Sequence, residues 1–251
     1  MSKKSCIFCG QPANSKEHLI PDWILVVLGG VNPSVLKLRG RDTHVFTAPI
    51  VVRCVCKKTC NEGWMSALES DVKSVMTPMM VQDAPMSLNL EHQRLISLWA
   101  VKTAMVGEET KTKHGQRFYT KGQRERLWLQ REIPTSTRIE IGRFTGSGTH
   151  FDGTEVWWTV NGIPKAIHAH VTTIVVGHLA FQIISSRMNG GEITANHQVP
   201  IAVGPWDKLL QDIWPTGDCR VNWPPPLSFT TSWNEHFILG LEDRWKIGEK
   251  V

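Results

Sequence analysis

The sequence has no run of eighteen consecutive apolar residues, so we expect no transmembrane helix and no attachment to a membrane. The first ten residues, MSKKSCIFCG, also lack the apolar core of a secretory signal peptide. Both absences predict a cytoplasmic protein. Thiols stay reduced in the cytoplasm, so closely spaced cysteines there favour metal binding over disulfide bonds.

No internal repeat or low-complexity tract is evident along the chain. Of the 251 residues, 41% are hydrophobic, which suffices for a packed core and excludes wholesale disorder. The length allows one large domain or two small ones.

The positive charge is concentrated near the N-terminus. Residues 1–66 contain nine basic and four acidic residues, whereas the rest of the chain has nineteen of each and is neutral. The whole excess of +5 therefore lies in the segment that carries most of the cysteines. A basic surface of this kind suits a polyanion such as nucleic acid, although ordinary surface charge would explain it equally well.

Apolar periodicity and turn residues predict an α+β fold with an antiparallel sheet. Helices are expected over 19–28, 61–72, 90–106, 121–130 and 206–214. Strands are expected over 34–38, 45–55, 138–144, 155–160, 163–171 and within 172–185. Asn161-Gly162 is typical of a type I′ hairpin turn. We interpret residues 1–80 as one module and residues 81–251 as a second, α+β domain.

Four cysteines have the spacing of a structural zinc site. Two residues separate Cys6 from Cys9, and three separate Cys56 from Cys60, which suits tetrahedral coordination of Zn²⁺ by thiolates. Cys54 is the alternative ligand, but Cys54 and Cys56 would share one face of a strand and form a poorer chelate. We therefore expect Cys54 to be buried without binding metal, and Cys219 to pack in the core.

Polar residues of a different kind adjoin both cysteine pairs. Glu17 and His18 follow the first pair, and Asn61 directly follows Cys60. This order resembles the HNH endonuclease family, in which an acid–histidine pair lies between two zinc knuckles and histidine or asparagine follows the last cysteine. The resemblance covers residues 5–70. It implies a ββα-metal, treble-clef-like module in which a hairpin and a helix enclose one catalytic divalent ion.

The resemblance also implies the roles of these residues. His18 would be the general base that activates water, while Glu17 and Asn61 would hold Mg²⁺ or Mn²⁺ through oxygen ligands. The chemistry suits the residue types, because histidine titrates near neutrality and phosphodiester hydrolysis needs a cation at the phosphate. Arg53, Lys57 and Lys58 lie next to the site in sequence and are candidates for phosphate contacts.

The chain departs from the family pattern in three ways, one of which is that a middle asparagine is not obvious, since Asn32 lies far from the expected hairpin position. The family usually has aspartate or histidine at the position of Glu17. The interval of 43 residues from His18 to Asn61 is also long, which predicts an insertion over 19–38.

Each candidate has a structural alternative. His18 could face solvent or bind zinc, and Asn61 could cap the following helix. Glu69 shares a helix face with Asn61 and could join the metal site, but a salt bridge or a plain solvated acid is favoured. Trp64 is expected to pack in the core.

The second domain gives no comparable signal. His168 and His170 alternate on a predicted strand and could bind metal, but satisfied structural histidines are favoured. The domain could recognise DNA, bind a partner protein or form a homo-oligomer.

The sequence predicts a metal-dependent, HNH-type endonuclease that hydrolyses DNA, of the kind found in phage defence and mobile elements. The alternative is a catalytically inactive, zinc-stabilised module that binds nucleic acid or a protein.

Overall fold

The computed structural model describes residues 4–30, 34–38, 42–46, 49–110, 117–146, 148–160, 163–188, 191–192, 209–217 and 220–229. Within these ranges the fold is α+β with antiparallel sheets, as the sequence predicts. The helices are α1 (Asp22–Val27), α2 (Ser66–Thr77), α3 (Leu90–Glu108) and α4 (Lys121–Gln130), with π-helical segments at Lys57–Met65 and Pro78–Gln82. The strands are β1 (Ser15–His18), β2 (Ser34–Leu38), β3 (Asp42–Phe46), β4 (Val51–Val55), β5 (Met86–Leu88), β6 (Thr137–Phe144), β7 (Thr149–Val160), β8 (Ile163–Val176), β9 (Leu179–Met188), β10 (Gly191–Glu192), β11 (Leu210–Trp214), β12 (Val221–Trp223) and β13 (Ser228–Phe229).

One large sheet dominates the fold, with the strand order β11-β6-β9-β8-β7-β2-β3. Its centre is the antiparallel series β7, β8 and β9, in which Thr154 pairs with Val171 and Val171 with Ile184. The β-branched residues of these strands favour a pleated, buried surface. The predicted hairpin around residues 161–162 agrees with the pairing of β7 and β8, although the two turn residues lie outside the described ranges.

A hairpin from the N-terminal part of the chain extends this sheet. β2 pairs with β3 in antiparallel fashion and lies parallel to β7, with Ser34 opposite Thr149. One hydrophobic core also includes Phe8, Trp99 and Ile183. The two parts of the sequence therefore share a core across residue 80, and the domain boundary stays a prediction.

Helix α3 is the central helix of the fold, and it confirms the helix predicted over 90–106. The side chain of Asn89 accepts a hydrogen bond from the backbone N–H of His92 at 2.8 Å and caps its N-terminus. From Ile96 to Glu108 every residue is buried, because α3 is covered on several sides. Trp99 packs against Phe181 of the sheet, with ring centroids 5.5 Å apart. No helix in the described ranges is both long and apolar enough to cross a membrane.

Two of the predicted elements are wrong in part. Leu210–Trp214 is strand β11, not a helix, because it pairs with the edge of β6; residues 206–208 lie outside the described ranges. The strand predicted over 45–55 is two strands, β3 and β4, separated by a segment that contains Pro49, which cannot donate a ladder hydrogen bond.

Candidate metal centre and active site

The four predicted zinc ligands converge on one point. The Sγ atoms of Cys6, Cys9, Cys56 and Cys60 all lie within 4.8 Å of one another, and we call them the thiol quartet. Cys6 and Cys9 lie in a tight turn that Gly10 closes with a positive φ of 76° and a hydrogen bond to the Cys6 carbonyl. Cys56 follows β4, and Cys60 lies in the π-helical segment. The quartet could hold a metal ion such as zinc.

The sulfur spacing fits such an ion. Cys6 and Cys60 Sγ are 3.6 Å apart, and Cys9 and Cys56 Sγ are 3.4 Å apart. Sulfurs at the corners of a zinc tetrahedron lie about 3.8 Å apart, given Zn–S bonds of about 2.3 Å. Cys54 is buried outside this group.

The thiols of the quartet interact strongly. A hydrogen bond with Cys60 lowers the pKa of the Cys6 thiol to about 4 and raises the pKa of Cys60. Burial raises the pKa of Cys9 to about 11. A divalent cation would displace the protons that the remaining thiols hold, since thiolates are the ligating form.

Next to the quartet, β1 and β4 form a two-stranded antiparallel sheet, and the helical segment containing α2 follows β4. Glu17 pairs with Val52 and His18 with Val51. Side chains alternate along a strand, so Glu17 and His18 face opposite sides. Glu17 is only 6% exposed, whereas the side chain of His18 is 35% exposed.

His18 is held by an acidic residue that the sequence analysis did not single out. Its Nδ1 lies 3.1 Å from Oδ1 of Asp22, the first residue of α1. The opposite ring nitrogen, Nε2, is therefore directed away from Asp22, and it makes no hydrogen bond to another described residue. Asp22 lies four residues after His18, and that spacing was the signal available in the sequence.

On the other side of β1, Glu17 belongs to a buried ionic group that we call the Lys102 cluster: Glu17, Glu69 and Lys102. The Lys102 ammonium, on α3, lies 3.3 Å from Glu17 Oε1 and 2.7 Å from Glu69 Oε1, and the Lys102 side chain is 1% exposed. Of the two interpretations favoured for Glu69, the salt bridge is thereby confirmed. A lysine within the apolar run of α3 was the sequence signal for this cluster.

The Lys102 cluster shifts the pKa values of its members. Burial raises the pKa of Glu17, and the positive charge of Lys102 opposes that rise. Burial alone would lower the pKa of Lys102, but the carboxylates of Glu69 and Glu17 outweigh it and raise that pKa. The lysine therefore stays charged between its two partners.

Asn61 connects the helical segment to β1. Its Nδ2 donates to Ser15 Oγ and the Lys16 carbonyl, both at 3.0 Å, and to Glu17 Oε2 at 3.2 Å. It does not cap a helix, because no side chain makes a capping hydrogen bond at the start of Lys57–Met65 or of α2.

The predicted catalytic cation can be tested against these contacts. Glu17 Oε2 and the Asn61 amide lie within reach of one small ion, and carboxylate and amide oxygens suit Mg²⁺ or Mn²⁺. Lys102 holds the other carboxylate oxygen. Asn61 presents Nδ2 and not Oδ1 to Glu17, and the same Nδ2 donates to the Lys16 carbonyl, so these side chains would have to change their contacts before they could hold an ion.

The three predicted phosphate-binding residues lie on or next to β4. Arg53 and Lys58 are exposed. Lys57 Nζ lies 3.5 Å from Glu62, so its charge is partly neutralised, and its backbone N–H donates to Asn14 Oδ1 at 2.8 Å.

The remaining candidates have structural roles. His168 Nε2 contacts Glu155 Oε2 at 3.1 Å and its Nδ1 accepts from Arg187 Nε at 3.1 Å, so both nitrogens are occupied. The Nδ1 of His170 contacts Thr172 Oγ1 at 3.2 Å. Trp64 packs edge-on against Phe8 in the core, as expected. Cys219 lies outside the described ranges.

Comparisons of the chain with protein-family models, with curated proteins and with solved structures return no match.

Proposed function

We propose that this protein is a metal-dependent, HNH-type endonuclease that hydrolyses DNA phosphodiester bonds. The observation that carries the proposal is the orientation of His18 by Asp22 on the solvent side of the β1–β4 pair. The helix that follows, with the thiol quartet at its start, gives this small sheet a rigid support.

In this proposal His18 is the general base. Its Nε2 takes a proton from the attacking water, while the Asp22 carboxylate holds the ring and stabilises the imidazolium that forms. Glu17 and Asn61 would hold Mg²⁺ or Mn²⁺ after leaving their contact with each other, and the ion would supply a Lewis acid for the charge on the phosphate. Lys102 keeps the other oxygen of Glu17 in place, and Arg53, Lys57 and Lys58 attract the DNA backbone.

The zinc of the thiol quartet has a structural role in this account. All four sulfur ligands come from the protein, so the ion offers no open position for substrate. It fixes the first cysteine turn, the end of β4 and the start of the helical segment relative to one another.

A second candidate function is a zinc-stabilised, catalytically inactive module that binds nucleic acid. The Lys102 cluster favours it, because Lys102 already neutralises the carboxylate that would otherwise hold the catalytic ion.

Metal-dependent cleavage of supercoiled plasmid separates the two functions. The zinc-loaded protein is assayed without added cation, with Mg²⁺, with Mn²⁺, and with Mn²⁺ plus excess EDTA. Nicking that requires the added cation supports the endonuclease. DNA binding without nicking under every condition would favour the binding module.

A further inference from the structure

A cleft lies beside the thiol quartet, between the N-terminal segment and β4. It is lined by Lys4, Pro12, Ala13, Asn14 and Arg53 and has a volume of about 490 Å³. This volume falls in the range of small-molecule sites, about 300–1,000 Å³. We call it the Lys4–Arg53 cleft.

The walls of the cleft are fixed by the zinc-binding turn. The Lys4 carbonyl accepts a hydrogen bond from the Ala13 N–H at 2.8 Å, and Asn14 Oδ1 accepts from the Lys57 N–H at 2.8 Å. The first bond closes the N-terminal loop, and the second ties that loop to the segment between Cys56 and Cys60. The cleft is thus formed before any ligand binds, which lowers the entropic cost of binding.

The two cations of the cleft have no acidic neighbour among the described residues. Lys4 and Arg53 make no ion pair or hydrogen bond with another described side chain, whereas Arg124, Arg138 and Arg143 are each paired with carboxylates. A guanidinium and an ammonium that have no ion-pair partner in the part of the chain that the structure describes, at a preformed cleft, favour an anionic ligand. Pro12 and Ala13 add an apolar wall, which suits the sugar of a nucleotide.

The cleft lies on the same side of the small sheet as His18. Val51, the cross-strand partner of His18, and Arg53 are both exposed, while Cys54 is buried. Two residues along a strand span about 7 Å. Successive phosphates of one DNA strand advance by about 3.4 Å along the duplex axis and lie farther apart than that through space. When the scissile phosphate of a DNA strand lies next to His18, a neighbouring phosphate of the same DNA strand can therefore lie in the cleft.

We propose that the Lys4–Arg53 cleft binds a backbone phosphate of nucleic acid next to the scissile phosphate, independently of base sequence. This inference rests on the proposed function, since that function supplies the nucleic acid. It adds Lys4 and the cleft wall to the predicted contacts, and it makes Arg53 a cleft residue distinct from Lys57 and Lys58.

The test is the salt dependence of DNA binding, measured by fluorescence anisotropy in a His18→Ala background so that no strand is cut. Two labelled 20-base-pair duplexes of unrelated sequence are used, without added Mg²⁺. Lys4→Ala and Arg53→Ala are compared with Lys73→Ala, which removes an exposed cation from α2, away from the cleft.

Each cleft variant is expected to reduce the slope of log K against log salt on both duplexes, and the double variant to reduce it by about 0.9, the contribution of one phosphate contact. Lys73→Ala is expected to keep the parent slope. Slopes for Lys4→Ala and Arg53→Ala equal to that of Lys73→Ala would overturn the proposal, as would absence of DNA binding by the parent.

This assay separates the cleft from the chemistry. If DNA binding depends on Lys4 and Arg53 but the parent never nicks DNA, the cleft proposal is retained and the endonuclease proposal is rejected. If the protein nicks DNA but its DNA binding does not depend on Lys4 or Arg53, the endonuclease is retained and the cleft proposal is rejected.

Discussion

Glu17 and His18 are adjacent in sequence but face opposite sides of strand β1. The Glu17 carboxylate lies 3.3 Å from Lys102 in the interior, and the His18 ring lies 3.1 Å from Asp22 at the surface. Strand geometry thus divides the acid–histidine pair into an inner carboxylate that contacts Lys102 and an outer imidazole that can meet a substrate, so a catalytic ion at Glu17 would require that carboxylate to change its contacts. The predictions below test the parts of this arrangement.

The thiol quartet is expected to bind one zinc ion per chain. Cys60→Ser should lose the metal and much of the folding stability, because structural zinc contributes its binding free energy to folding. Cys54→Ser is the matched control, since Cys54 is buried but outside the quartet. Metal content and thermal unfolding are measured together. Loss of zinc from Cys54→Ser, or a purified parent without zinc, would contradict the assignment.

Lys102 is expected to be essential for stability. Lys102→Met keeps most of the side-chain volume but leaves Glu17 and Glu69 without their buried cation, which should cost about 3–5 kcal/mol in the free energy of unfolding. Lys57→Met, which breaks the exposed pair with Glu62, should cost no more than about 1 kcal/mol. Urea unfolding at neutral pH measures both. Equal costs for the two variants would mean that the Lys102 cluster is solvated.

The contact between α3 and the large sheet leaves no room at Gly107. A Cβ there would overlap the ring of Phe151, which is 2% exposed and cannot move into solvent. Gly107→Ala should destabilise the protein by about 1–3 kcal/mol through overpacking.

Gly122 on α4 provides the control for Gly107. Its Cβ would meet only an Arg126 side-chain atom at 3.6 Å, so Gly122→Ala should stabilise by up to about 1 kcal/mol through helix propensity. Adding Phe151→Leu to Gly107→Ala should recover part of the loss. If Gly107→Ala alone stabilises the protein, α3 must lie farther from β7 than the structure places it.

Glu155 is expected to contribute to the pH dependence of stability. Its hydrogen bond to His168 lowers the pKa of the carboxyl below 4.5. A lowered carboxyl pKa stabilises the fold above the unfolded-state value, and this contribution disappears as the pH falls through the folded-state value.

Glu155→Gln should therefore be less stable than the parent at pH 7, by well under about 1 kcal/mol because the side chain is half-exposed. The difference should shrink as the pH falls below 4.5 and through the lowered folded-state pKa. Urea midpoints over a series of acid pH values measure it, and a difference that does not shrink with falling pH would assign the effect to packing.

Local pattern was enough to predict much of the fold. The periodicity of 90–106, the strands that flank residues 161–162 and the convergence of Cys56 and Cys60 on the first cysteine pair are all observed. The helix and the hairpin depend on residues close in sequence, and each cysteine pair is recognisable by its own chelate spacing, although the two pairs are 47 to 54 residues apart.

Contacts between distant segments could not be predicted from local sequence patterns. Lys102 meets Glu17 across 85 residues, and β2 joins β7 across more than a hundred, so no local pattern records either pairing. The strand Leu210–Trp214 could not be predicted from local pattern for the same reason, since its pairing with β6 decides its conformation.

The central claim is that His18 is the base of a nuclease, and single-turnover nicking of supercoiled plasmid tests it most directly. The parent, His18→Ala and the control His92→Ala, which changes a histidine on α3, are compared with Mg²⁺ or Mn²⁺ at equal DNA occupancy. The account predicts that His18→Ala nicks at least about 100-fold more slowly than the parent while binding DNA equally well. It also predicts that His92→Ala keeps the parent rate. Nicking by His18→Ala at the parent rate would contradict the account.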